Sequence, residues 1–173
     1  LGAALGTMVA NLSAHKAGWD DRWEEFSDIA EDGQALVRRL LHLVDEDTAA
    51  FNRIKAAIGM PKGTDDERRA REEAMEAATV YACEVPLQTM TAALDCFGVL
   101  ALTAKKGLKA SASDVGVGAL AARAAVRGAG LNVRINAAGL ADRAKADALV
   151  ARAIEIEELA LQKENEILAI IAL

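Results

Sequence analysis

An all-α fold, an antiparallel bundle of about five long helices, follows from three observations. Ala, Leu, Glu, Arg and Lys dominate a chain of 173 residues whose aromatics are two Trp, one Tyr and three Phe, the makeup of closely packed helices and not of sheets. Apolar residues recur at three- and four-residue spacing, with no stretch of strict alternation. Breaks carrying glycine or proline divide the chain at only a few places. With 53% hydrophobic residues, one domain over residues 1–173 has ample material for a core.

Each element has a local reason. Leu1 to Lys16 reads as a small-residue helix that ends near Gly18. A second begins around Asp20 or Asp21 and runs to Ile58, where Gly59, Pro61 and Gly63 break it. Thr64-Asp65-Asp66-Glu67 is a capping box that opens the third helix. Its inward stripe is Met75, Ala78, Ala82, Val85, Thr89, Ala92, Cys96 and Val99, and it ends at Gly107. Pro86 removes a hydrogen bond inside it, which predicts a kink or a break near residues 84–86 and frees carbonyls near Ala82 to face a ligand. Ser113-Asp114 reads as the N-cap of a fourth helix, with Val115, Ala119, Ala122, Val126, Ala129, Val133, Asn136 and Leu140 inward. A fifth runs from about Asp142 to Ile171, with Leu149, Ala153, Ile156 and Ala160 inward.

One residue breaks the pattern of the second helix. Ile29, Leu36, Leu40, Val44, Phe51, Ile54 and Ile58 define a stripe, and the position completing the spacing between Val44 and Phe51 is Asp47. A carboxylate on a buried stripe is costly unless it is paired, protonated or used. It is either tied to an arginine of another helix or a general acid–base in a cleft, with its titration displaced to match. Asp45, two residues away, points elsewhere and does not form a dyad with it.

Other chemistries find less support. A net charge of −6 argues against nucleic acid as a partner, and no apolar run approaches the length needed to span a bilayer. Cys83 and Cys96 lack the spacing of a zinc site or disulfide framework and read as buried thiols of a cytoplasmic protein. His15 and His42 follow Leu12 and Arg39 by three residues, not the glutamates that a di-iron bundle needs, and read as surface residues. No phosphate loop, dinucleotide fingerprint or nucleophile elbow occurs. Asn132 and Asn136, four apart, either bridge helices or read a heteroaromatic ring. Arg123, Arg127 and Arg134 form a basic face, either solvated or able to attract an anionic tail.

Several segments together resemble the cyclodeaminase/cyclohydrolase family, which comprises the C-terminal domain of formiminotransferase-cyclodeaminase and stand-alone bacterial methenyltetrahydrofolate cyclohydrolases. They are LGAALGTMVANLS with Lys16, LVDEDTAAF at 43–51, MPKGTDDER at 60–68, EVPL at 84–87, SDVGVGAL at 113–120 and LNVRIN at 131–136, in family order across nearly the whole chain. The resemblance implies a homodimer with its cleft near the dimer interface, a tetrahydrofolate one-carbon derivative as substrate, and no metal or further cofactor. It implies that Asp47 is catalytic and that Lys16, Ser113, Asp114, Asn132 and Asn136 bind substrate. It also implies a short glycine-rich segment ahead of Leu1, and Leu108 follows Gly107 where the family has Gly-Asn. Three activities are compatible with the resemblance: cyclodeamination of 5-formiminotetrahydrofolate, hydrolysis of 5,10-methenyltetrahydrofolate, or folate binding by a non-catalytic helical dimer.

Overall fold

Five helices carry the structure, a computed structural model that describes residues 1–172. They are α1 (Gly2–Ala14), α2 (Trp23–Ile58), α3 (Asp65–Lys106), α4 (Ala112–Ala137) and α5 (Arg143–Ile171), with single 3₁₀ turns at Asp20–Arg22 and Lys109–Ser111. The all-α expectation holds, and the element order is the predicted one. Gly18, at φ +82°, makes the turn between α1 and α2 in a region that costs residues with a Cβ.

The capping box forms as read. Thr64 Oγ1 accepts from the Glu67 N–H at 3.2 Å, and Glu67 Oε2 accepts from the Thr64 N–H at 3.1 Å. At α4 the expectation needs correction. Ser111 is the N-cap, and Ser113 and Asp114 lie inside the first turn, neither of them capping it. Asp142 caps α5, its carboxylate accepting from the Lys145 N–H at 3.0 Å.

Small residues set how closely the helices approach. A Cβ on Gly2 would stand 2.8 Å from the Gly118 carbonyl oxygen, and one on Gly118 would stand 2.6 Å from Leu100 Cδ2. So α1 lies deep between α2 and α4 and over α3. Phe97, Met90, Leu100, Val126, Val133, Ile156 and Ile167 fill the core beneath it. The reading that no apolar run approaches a bilayer-spanning length is corrected. α3 is long and apolar enough to cross a bilayer, but half of its apolar stretch is buried by its neighbours, the situation of a core helix. Burial pushes the Cys83 and Cys96 thiols up to about 11. Both are therefore expected to resist alkylation in the native chain at neutral pH and to react fully in denaturant, an outcome read as labelled thiols by mass spectrometry.

The stripe proposed for α2 is corrected. Its buried face is Phe26, Ile29, Ala30, Gly33, Leu43, Ala50 and Ala57, while Val44, Phe51 and Ile58 are 63%, 62% and 56% exposed. Periodicity read from large side chains picked a neighbouring stripe. The buried face relies in part on alanines and on Gly33, which lies against Thr7 of α1; these carry little hydropathy but permit close contact. Asp47 lies on the exposed side as a result.

Two of the three arginines of the basic face of α4 are paired with α5, while Arg127 is exposed. Arg134 makes a two-pronged bond to Glu157 of α5, at 2.9 and 2.8 Å, and Arg123 lies 3.5 Å from Glu164. A Cβ on Gly130 would collide with the Glu157 carboxylate, so glycine there leaves room for the pair. Hydrogen bonding to Arg134 holds the Glu157 carboxyl below its ordinary range, against the opposing effect of burial. A depressed carboxyl stabilises the fold above its unfolded-state pKa, and this contribution fades as pH falls through the folded value. Glu157→Gln is expected to cost about 1 kcal/mol at neutral pH. The difference in urea midpoint from the unmodified chain should shrink in acid.

Candidate functional site

A trough lies between α2 and α4, with α3 as its floor. α2 and α4 flank α3 without packing closely on each other, and α1 fills the gap between them over part of its length. Thr7 of α1 lies against Gly33 of α2, and Gly2 against Gly118 and Ala122 of α4. A cleft of about 370 Å³ lies between α2 and α4. One wall is Leu40, Leu43, Val44, Asp47 and Thr48 of α2, the floor is Pro86 and Thr89 of α3, and the other wall is Ala125, Ala129 and Asn132 of α4.

The trough brings Asp47 and Asn132 together across α3. Both are exposed, and no salt bridge or side-chain hydrogen bond engages Asp47 among the described residues. The arginine pairing considered for it from sequence does not form. Thr48 and Thr89, which sequence reasoning did not single out as site residues, donate to the Val44 and Val85 carbonyls at 3.2 and 3.1 Å. Their oxygens remain able to accept from a guest. The only sequence signal for Thr48 is that it follows Asp47.

Asn136 behaves differently from Asn132. Its Nδ2 donates to the Ala82 carbonyl oxygen at 2.7 Å. This is the carbonyl that Pro86 deprives of its helical donor, so it faces a neighbouring helix and not a ligand. α3 runs unbroken through the proline, so of the expected kink or break the break does not occur.

Lys16, Ser113 and Asp114 lie at the far end of the bundle. Lys16 follows the end of α1, its ammonium 4.0 Å from the centre of the Trp19 ring. Ser13, just before it, accepts from the Leu108 N–H at 2.9 Å, which ties that end of α1 to the α3–α4 connection. Asp114 and Asn132 are eighteen residues apart on α4, about 27 Å at the helical rise. Within one chain the six predicted residues therefore form two groups and not one constellation.

A larger groove of about 670 Å³ lies between α2 and α3, lined by Asp32, Leu36, Arg39, Asp95, Gly98 and Leu102 among others. Arg39 and Asp95 pair across it at 3.0 Å. It holds none of the predicted residues. Among the described residues no group of three His, Cys, Asp or Glu side chains stands close enough to hold a metal ion.

Comparison with known proteins follows the same lines. The family model described as formiminotransferase-cyclodeaminase matches residues 1–155. The methenyltetrahydrofolate cyclohydrolase of Methylorubrum extorquens is 36% identical over 127 residues, which is 73% of this chain and 61% of that protein. The formimidoyltransferase-cyclodeaminase of Gallus gallus is 32% identical over 128 residues, 74% of this chain and 24% of that protein. The chain thus spans less than two thirds of the length of either relative. The fold is that of the formiminotetrahydrofolate cyclodeaminase from Thermotoga maritima, whose crystal structure matches with a TM-score of 0.83 at 24% identity, over 98% of this chain and 81% of that one. Family model, relatives and fold agree: the chain belongs to the formiminotransferase-cyclodeaminase family.

Proposed function

We propose that the chain carries out one-carbon chemistry on a tetrahydrofolate held in the trough, closing the bridge between N5 and N10 by cyclodeamination. The observation that carries this reading is the position of Asp47, an unpaired acid on the wall of an open trough in a member of this family. N10 of 5-formiminotetrahydrofolate attacks the formimino carbon, and a tetrahedral carbon forms between N5 and N10. Asp47 accepts the N10 proton and returns one to the departing nitrogen, so that ammonia leaves and 5,10-methenyltetrahydrofolate remains. The reading needs no metal and no cofactor beyond the folate.

A second reading, hydrolysis of the methenyl bridge, is favoured by the likeness to a protein named as a cyclohydrolase. Water adds to the same carbon, with Asp47 as its base. The two are separated by supplying each folate in turn and following methenyltetrahydrofolate absorbance and ammonia. Ammonia-releasing formation of the methenyl compound supports cyclodeamination, and its decay supports hydrolysis. No turnover of either folate, with folate still bound, leaves the third reading, a binding dimer.

The proposal includes a homodimer. Val117, Leu120, Leu131 and Ile135 form an exposed apolar stripe along α4, with Ile135 71% exposed, and Gly128 has open space where a Cβ would stand. Val44 and Phe51 of α2 and Met8 and Leu12 of α1 extend the apolar surface beside the trough. A continuous patch of this kind is characteristic of an interface. The α4 stripe is nearly symmetric about Val126, so a two-fold, antiparallel pairing would set the Ser113 end of one α4 beside the Asn136 end of the other. That arrangement would reunite the two groups of predicted residues and shield Asp47 from bulk water.

A further inference from the structure

Asn136 completes a helix to which it does not belong. Pro86 has no N–H, so the Ala82 carbonyl, four residues earlier in α3, has no helical donor. Ala82 is 6% exposed, which keeps water from replacing that donor, and the Asn136 amide supplies the bond at 2.7 Å. The two partners bracket the trough. Pro86 belongs to its floor, and Asn132, one turn before Asn136, belongs to its wall. We infer that Asn136 is a positioning residue: its amide and Pro86 form an interlock that fixes α4 against α3 and so sets the distance from Asn132 to Asp47. Asn136 does not itself contact the folate. This role rests on the trough being the site of reaction, whereas the interlock itself does not.

The chemistry of the pair predicts a particular non-additivity. Removing the amide alone strands a buried acceptor, which must draw in water or shift the helices apart. Removing the amide and restoring the helical N–H together strands nothing, because both sides of the missing bond are replaced at once. Proline and asparagine should therefore be needed only in each other's presence.

The test is a double-mutant cycle on the full chain with Asn136→Leu, Pro86→Ala and the pair, read by urea unfolding and by steady-state kinetics. Asn136→Leu alone is expected to lower the urea midpoint and to reduce kcat about ten-fold, the worth of one buried hydrogen bond, with KM changed less than about two-fold. Adding Pro86→Ala should return most of both losses. Equal losses from Asn136→Leu with and without Pro86→Ala would overturn the interlock. A raised KM that Pro86→Ala does not rescue would overturn the positioning role and make Asn136 a substrate contact. If the unmodified chain turns over neither folate, the proposed reaction and the positioning role both fall, and the unfolding arm still decides the interlock.

Discussion

Asp47→Asn is expected to leave the fold unchanged and to reduce turnover of the folate substrate by on the order of 10²- to 10⁴-fold, the range for loss of a positioned proton acceptor. The two halves of this expectation have separate grounds. Asp47 is exposed and takes part in no ion pair among the described residues, so its replacement should move stability by less than about 0.5 kcal/mol, as for ordinary surface positions. The carboxylate stands in the trough wall across from Asn132, so the amide keeps shape and loses only the ability to take up a proton. Turnover and urea unfolding of the same preparations check both halves. A variant that unfolds more readily yet turns over normally would give Asp47 a structural role.

The second large effect concerns the α4 stripe. Leu131→Glu with Ile135→Glu is expected to convert the proposed dimer into single chains at micromolar concentration and to reduce turnover with it. Both positions are largely exposed in one copy, so the charges cost the isolated chain little. Across a two-fold interface each substitution occurs twice, placing four carboxylates in an apolar seam, each with a desolvation penalty of several kcal/mol. Sedimentation velocity distinguishes the states. If the unmodified chain also sediments as a single copy, the stripe is not a self-interface.

Much of this architecture could be read from sequence because its signals are local. The Thr64 capping box, the Gly59–Gly63 break and most of the inward stripes of α3, α4 and α5 depend on residues within a turn or two of one another. The first two form as read, and of the stripes only Met75, Thr89, Asn136 and Leu149 are half-buried, with Leu140 just past the end of α4. What failed depended on distant partners. Pro86 predicted a kink or a break by a rule that considers one helix; the break does not occur, and Asn136, fifty residues later, supplies the missing donor. Arg123 and Arg134 of α4 looked available, but α5 places Glu164 and Glu157 against them. The reason for singling out Asp47 is corrected by the structure, since its neighbours on that stripe, Val44 and Phe51, are exposed. The case for its proposed role rests on the LVDEDTAAF motif and not on burial. Lys16, Ser113 and Asp114 were legible only as pieces of a family pattern, which says nothing about which of them one chain brings together.

The central claim is that folate reacts beside Asp47, although the groove at Arg39 and Asp95 is the larger cavity. The most direct measurement is a crystal structure of the chain with a bound, unreactive tetrahydrofolate analogue. The account predicts the N5–N10 edge in the trough between α2 and α4, within hydrogen-bond reach of the Asp47 carboxylate, about 2.6–3.2 Å. A folate seated instead between α2 and α3, against Leu36 and Leu102, would contradict it.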